Sequence, residues 1–291
     1  MKTTFDFSPE ALDRLAQADA ARALAEDIGT GDLTAALIDP AAQAWARVLA
    51  RESAVLCGSA WVQAAFSQLD PQATLDWHVQ DGERCAANQV VFEVRGQTRA
   101  LLTGERTALN FLQLLSAVAN TTATFVAIVK GTRSQIVDTR KTLPGLRLAQ
   151  KYAVRTGGGT NHRIGLYDAV LIKENHIAAA GGIAQVLQRT AQVAAQADFV
   201  EIEVESLDQL AQALAAGARM VLLDNMDLAS LREAVRINAG RAILEISGGV
   251  TLDGLRALAE TGVDRISVGA LTKDVRAIDF SMRFDAPRGA L

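Results

Sequence analysis

Two kinds of hydrophobic pattern run along this chain, and they change over near residue 116. In the first part, apolar and polar residues partly alternate over 46–51 and 74–79, the signature of strands with one buried face. Between them, 59–69 reads as a short helix. Ser8-Pro9-Glu10 predicts a helix start, with a capping hydroxyl, proline at the first helical position and an acid behind it. That helix is expected to run to about Ala25 and stop at the turn Glu26-Asp27-Ile28-Gly29-Thr30-Gly31-Asp32. The turn's acids would repel phosphate and its order lacks the calcium-loop ligand pattern, so it reads as structural. Asp81-Gly82 and Gly96-Gln97 mark further turns, and 98–130 reads as two helices with apolar positions at Leu101, Leu102, Ala108, Leu109, Leu112 and Leu115.

Beyond residue 116, short apolar runs recur at 136–138, 169–172, 200–204, 220–223, 243–246 and 265–268, with Ala- and Leu-rich helical stretches between them. Repeated strand–helix units of this length predict a parallel sheet with helices outside. No GxGxxG follows the first strand, which favours a (β/α) barrel over a doubly wound sheet. Six strands are fewer than eight, so the barrel is expected to be open or incomplete. The tail at 280–284 alternates and is expected to return to the first domain as a strand.

Composition narrows the function classes. The chain has 291 residues, 49% hydrophobic and 21% charged, with a net charge of −4, which excludes a mostly disordered chain and disfavours a nucleic-acid binder. Cys57 and Cys85 are too few for a disulfide framework. With no apolar leader in MKTTFDFSPE and no uncharged run long enough to span a bilayer, the expectation is a soluble, cytoplasmic enzyme without membrane association. The stretch 79–95 faintly resembles the hairpin of swinging-arm carriers, but no lysine lies between Lys2 and Lys130 to carry the arm.

Polar residues cluster at each predicted strand end in the second part: Asp138-Thr139-Arg140-Lys141, Lys173-Glu174-Asn175-His176, Glu203 to Ser206, Asp224-Asn225, Ser247-Gly248-Gly249 and Gly269-Ala270. The C-terminal strand ends of a parallel barrel carry its chemistry, so the six clusters point to one shared site. From Arg140 to Lys173, seven basic residues face Asp168 alone. Arg147 and Lys151 read as exposed helix residues, whereas Arg140, Lys141, Arg163 and Lys173 flank strands and suit a polyanion. Ser247-Gly248-Gly249 and Val268-Gly269-Ala270 follow the last two strands, where barrels commonly hold phosphate. Gly157-Gly158-Gly159 is either a plain linker or a mobile flap carrying His162 and Arg163. There is no GxSxG, Walker loop or HExxH, and His78, His162 and His176 lack metal-ligand spacing. The missing nucleophile points to catalysis by positioning and charge stabilisation.

These stretches resemble the quinolinate phosphoribosyltransferase family, also called carboxylating nicotinate-nucleotide diphosphorylases. The resemblance rests on EDIGTGDLT at 26–34, GERTALNFLQLLSAVANTT at 104–122, DTRKTLPGLRLAQKYAVRTGGGTNHRIGLYDAVLIKENH at 138–176, EIEVES at 201–206, LLDNM at 222–226 and LEISGGVTLDGLRALAETGVDRISVGALT at 244–272. It implies an N-terminal α/β sandwich domain, here 1–115 joined by the tail 276–291, beside an open α/β barrel at 116–275. It implies transfer of phosphoribosyl from phosphoribosyl pyrophosphate to quinolinate with decarboxylation, giving nicotinate mononucleotide for NAD biosynthesis, with Mg2+. It further implies a homodimer whose sites are shared between subunits.

Within that resemblance, Arg140, His162, Arg163 and Lys173 resemble the set that holds the substrate carboxylates, and Arg106 the arginine donated across the dimer. Lys141, with Thr139 and Arg140, lies where it meets both carboxylates and pyrophosphate. Glu203 and Asp224 resemble the acids that hold the ribose hydroxyls and help place Mg2+ indirectly; with Lys141 they form the expected catalytic set. Ser247, Gly248, Gly249, Val268, Gly269 and Ala270 would cradle the 5′-phosphate. The rivals are a family relative associated with molybdenum transport, a nicotinate phosphoribosyltransferase, and a non-enzymatic sugar-phosphate sensor. The dense basic set favours a substrate with two carboxylates.

Overall fold

The computed structural model describes residues 6–284, which form two compact units. One comprises 6–121, 144–157 and the tail from 274; the other comprises 122–143 and 158–273.

The first unit opens with α1 (Pro9–Ile28), whose Ser8 side chain accepts from the Ala11 N–H. The strands and helices that follow are β1 (Gln43–Ala50), β2 (Ala54–Val55), α2 (Ser59–Leu69), β3 (Thr74–Trp77), β4 (Arg84–Cys85), β5 (Val90–Gln97) and α3 (Thr98–Val129), whose residues from 122 on belong to the second unit. The main sheet includes the returning tail strand and is antiparallel, with β3 beside β5 and β5 beside β1. Strand β4 instead pairs with β2, so 79–95 is not a simple hairpin. Along β1, Ala46, Val48 and Ala50 are fully buried, and they alternate with more exposed residues as a one-faced sheet requires. Trp61 and Phe66 of α2 and Leu101, Leu109, Leu112 and Leu115 of α3 add to this core.

The two helices expected over 98–130 are one helix of 32 residues. No proline interrupts it, and Gly104 is kept by packing rather than by a bend. A Cβ there would come within 3.0–3.2 Å of Leu69 and Phe66. By length and composition α3 could cross a membrane, but half of its most apolar stretch is buried in the protein. The acidic turn is structural as expected: Asp32 accepts from the Thr34 and Ala35 N–H groups and from the Thr103 hydroxyl.

The second unit carries all six expected parallel strands: β6 (Gln135–Val137), β7 (Val170–Ile172), β8 (Val200–Val204), β9 (Met220–Asp224), β10 (Ile243–Ser247) and β11 (Arg265–Ser267). Neighbours run β7-β8-β9-β10-β11-β6, and β6 does not pair with β7 among the described residues. That order is a barrel open at one seam. Its helices are α5 (Glu174–Ala180), α6 (Ile183–Thr190), α7 (Leu207–Ala215), α8 (Leu228–Asn238), α9 (Leu252–Ala259) and the short α10 (Ala270–Lys273). Helix α4 (Arg147–Thr156), although it follows β6, groups with the first unit. On it, Lys151 is fully buried rather than exposed, together with Gln150 and Ala149. The tail strand β12 (Phe280–Phe284) pairs antiparallel with β1, as its alternation suggests.

Candidate active site

A strand alternates its side chains, so one face of each barrel strand supplies every second residue to the interior. Glu201 and Glu203 therefore share a face of β8, Leu222 and Asp224 a face of β9, and Glu245 and Ser247 a face of β10. Parallel pairing sets Glu203 opposite Leu222, Leu222 opposite Glu245, and Glu245 opposite Arg265. Along that row Glu203 and Leu222 line the C-terminal mouth, whereas Glu245 is fully buried, like Glu201, and belongs to a polar cluster beneath it.

The mouth storey surrounds a cavity of about 200 Å3 lined by Thr139, Arg140, Lys141, His162, Arg163, Leu171, Lys173, Glu203, Leu222, Ser247 and Ser267. Eight of these residues were read from the sequence as site residues; Leu171, Leu222 and Ser267 were not. Lys173, at the end of β7, donates to Glu203 at 2.6 Å. Thr139, Arg140 and Lys141 form a tight turn in which the Thr139 hydroxyl accepts from the Lys141 N–H at 3.1 Å. The Thr272 hydroxyl donates to the Lys141 carbonyl at 2.7 Å. Burial lowers the pKa of Arg163, and the Arg140 guanidinium beside it adds to the effect. Two like charges held this close make a strong anion site.

Asp224 borders this cavity without lining it. Burial raises its pKa, the neighbouring Glu203 carboxylate raises it further, and Lys173 and Lys141 oppose the rise. The glycine loops come close to the same groups. A Cβ on Gly248 would lie 3.5 Å from an Asp224 oxygen, and one on Gly269 would lie 3.2 Å from the Lys141 Cδ. Gly248 and Gly249 have φ of 99° and 56°, in the left-handed region that favours glycine. Gly249 faces open space: nothing lies within 4 Å of the position a Cβ would take. Thr251 precedes α9 without a side-chain cap, leaving that helix's first N–H groups for another acceptor. Val268 is buried and Ala270 begins α10. Arg106 is exposed on α3 and is not among the cavity's lining residues.

Sequence reasoning named His162 but missed Glu201, Glu245 and Arg265, which lie with it in the buried storey. His162 sits there with its Nε2 2.8 Å from Glu201 Oε2 and 3.6 Å from Glu245 Oε1. Its Nδ1 accepts from the Arg163 N–H at 2.8 Å. Glu245 also meets the Arg265 guanidinium at 3.0 Å and accepts from the Ser267 hydroxyl. Burial, as the largest cause, pushes both Glu201 and Glu245 up to about 7. The signal was present in EIEVES and LEIS: an acid two residues before a mouth residue lies on the same face, one layer deeper. His176, in contrast, turns back to the chain, its Nδ1 accepting from the Lys173 N–H at 2.9 Å.

The triple glycine leads neither into a loose linker nor into an untethered flap. Thr160 forms a parallel bridge with Val137, and Asp138 accepts from the His162 N–H and the Asn161 amide.

The chain matches the family models for the quinolinate phosphoribosyl transferase N-terminal domain over residues 32–116 and C-terminal domain over 118–283. It belongs to the quinolinate phosphoribosyltransferase family. A probable carboxylating nicotinate-nucleotide pyrophosphorylase of Bacillus subtilis is 42% identical over 88% of this chain and 89% of its own length. The enzyme of that name from Mycobacterium leprae is likewise 42% identical, over 90% of this chain and 94% of its own. Among solved structures, a nicotinate-nucleotide pyrophosphorylase from Francisella tularensis superposes with a TM-score of 0.91 at 45% identity, covering 94% of this chain and 97% of that one.

Proposed function

We propose that the protein transfers the phosphoribosyl group of phosphoribosyl pyrophosphate to the ring nitrogen of quinolinate. One quinolinate carboxylate leaves as carbon dioxide, and nicotinate mononucleotide and pyrophosphate are the other products, a step of NAD biosynthesis. The observation that carries this reading is the mouth of the barrel, where Arg140, Lys141, Arg163 and Lys173 line one small cavity beside Glu203.

Quinolinate is a flat dianion. Arg140, Arg163 and Lys173 suit its two carboxylates, with His162 in the wall of the cavity. Glu203 and Asp224 suit the ribose hydroxyls, which donate to carboxylates and leave phosphate to other groups. The loops at Ser247-Gly248-Gly249 and Val268-Gly269-Ala270 suit the 5′-phosphate, approached by backbone N–H groups. Thr139 shapes the turn that presents Lys141, and Lys141 neutralises the departing pyrophosphate. As the ring nitrogen attacks the anomeric carbon it becomes cationic. It then stabilises the electron pair left on the adjacent carbon when carbon dioxide departs, and that carbon takes up a proton. No protein nucleophile is needed.

Glu203 and Asp224 also fit Mg2+. They are hard oxygen donors; burial raises the Asp224 pKa and repulsion from Glu203 adds to it, and a cation would relieve that repulsion. Bound there, through water, Mg2+ would neutralise charge on the pyrophosphate. In this reading the enzyme works in the cytoplasm as a homodimer, and the exposed Arg106 of each subunit completes its partner's cavity.

The test is an assay of the purified protein with quinolinate, phosphoribosyl pyrophosphate and Mg2+, following mononucleotide and carbon dioxide, with nicotinate as competitor. Turnover of quinolinate with release of carbon dioxide is expected. Turnover of nicotinate alone would overturn the assignment.

A further inference from the structure

The buried storey beneath the cavity does more than fill the barrel. An apolar layer would fill the same space without burying acids, and buried ion clusters are weak stabilisers compared with such packing. Here the acids make hydrogen bonds that lead to the segment that carries Arg163. Four consecutive N–H groups of that segment are held by side chains. Asp138 accepts from His162 at 2.8 Å, and the His162 ring accepts from Arg163 at 2.8 Å. Asp168 accepts from Ile164 at 2.6 Å and from Gly165 at 2.8 Å. The segment has no helix or strand to shape it, so these side chains are its template.

The His162 ring is a template group that is itself oriented from inside the barrel. Because Nδ1 accepts from Arg163, the ring proton lies on Nε2 and is donated to Glu201. The Phe199 ring packs edge-on against His162, with centroids 5.2 Å apart. Glu245, fixed by Ser267 and Arg265, stands 3.6 Å from the same Nε2. Both His162 nitrogens are thus engaged within the protein, and the ring meets the cavity as a wall.

We propose that Glu201 is a positioning residue for the quinolinate cavity, orienting His162 so that its ring fixes the Arg163 backbone, with Glu245 supporting it from β10. The role of Arg163 at a substrate carboxylate is taken from the proposed function; the positioning itself rests on the geometry alone. The interaction needs an acceptor at position 201 rather than a charge, so Gln does the work of Glu and Leu does not.

The experiment compares Glu201→Gln, Glu201→Leu, His162→Phe and the Leu–Phe double variant in two measurements. Steady-state kinetics are expected to show the quinolinate KM rising about tenfold or more in Glu201→Leu, with the phosphoribosyl pyrophosphate KM within about threefold of wild type and Glu201→Gln within about threefold for both. The double variant should be no worse than His162→Phe alone, because the two residues act in series. Hydrogen exchange at the amides of 162–165 should accelerate about tenfold or more in Glu201→Leu and His162→Phe, but not in Glu201→Gln. Equal rises in both KM values, additive effects in the double variant, or unchanged exchange would overturn the proposal. If Glu201→Leu does not fold, His162→Phe decides: unaltered exchange at 163–165 overturns it. If wild type fails to turn over quinolinate, the proposed function falls, and the exchange result still decides the positioning role.

Discussion

Replacing Lys173 with methionine removes one positive charge from the cavity and strands a negative one. Lys173 Nζ lies 2.6 Å from Glu203 Oε2, and the Lys173 side chain is 49% exposed against 13% for Glu203. A quinolinate carboxylate would lose a charge-assisted hydrogen bond of about 1.5–3 kcal/mol. It would also face a Glu203 carboxylate no longer neutralised. Two unit charges 4 Å apart interact by about 4 kcal/mol at an effective dielectric near 20, and solvent at this half-exposed position reduces that several-fold. The sum is about 3 kcal/mol, equivalent to a weakening of quinolinate by about a hundredfold. Calorimetric titration of quinolinate into folded Lys173→Met measures it directly. Adding Glu203→Gln to Lys173→Met removes the stranded charge and should recover about tenfold in quinolinate affinity, while turnover should stay low under the proposed role of Glu203 at the ribose. A loss below about threefold in the single variant, or no recovery in the double, would refute this electrostatic account.

Gly249→Val fills open space at a position with φ of 56°, so phosphoribosyl pyrophosphate should weaken about tenfold more than quinolinate in titrations; equal losses would argue against a phosphate loop there. If the protein is the proposed homodimer with shared sites, Arg106→Ala and Lys173→Ala should each be impaired, yet unfolding and refolding them together should restore about a quarter of wild-type activity, since half the dimers would be mixed and each would have one intact site. Recovery no greater than the two parents' sum would place Arg106 within its own subunit. Glu245 has a folded pKa raised to about 7 by burial, so the folded protein holds a proton that the unfolded chain releases at lower pH. Its contribution is full below the unfolded carboxylate range and is lost as pH rises through 7. Thermal melts from pH 5 to 8 should therefore fall more steeply for wild type than for Glu245→Gln, and parallel slopes would contradict the burial argument.

Much of this protein was legible in one dimension, because alternation and strand–helix spacing are local consequences of backbone geometry. The six barrel strands, the returning tail at 280–284 and the Ser8 cap each announce themselves within a few residues. The basic residues that line the mouth were legible too, since a parallel barrel gathers its strand ends whatever the details of packing. Burial and partnership were not. Lys151 reads as a surface lysine from its helix spacing, and only the packed helix puts it out of solvent. Within the single long α3, Gly104 lies where a Cβ would crowd Leu69 and Phe66, neighbours more than thirty residues away in sequence. Glu201, Glu245 and Arg265 come from three strands and His162 from a loop, so no spacing rule unites them; they meet only in the folded barrel, where His162 lies within 2.8 Å of Glu201 and 3.6 Å of Glu245. Sequence periodicity sets which face a side chain takes, and tertiary pairing sets which residues meet there. Loss of water at that depth is what turns ordinary acids into the groups that hold His162.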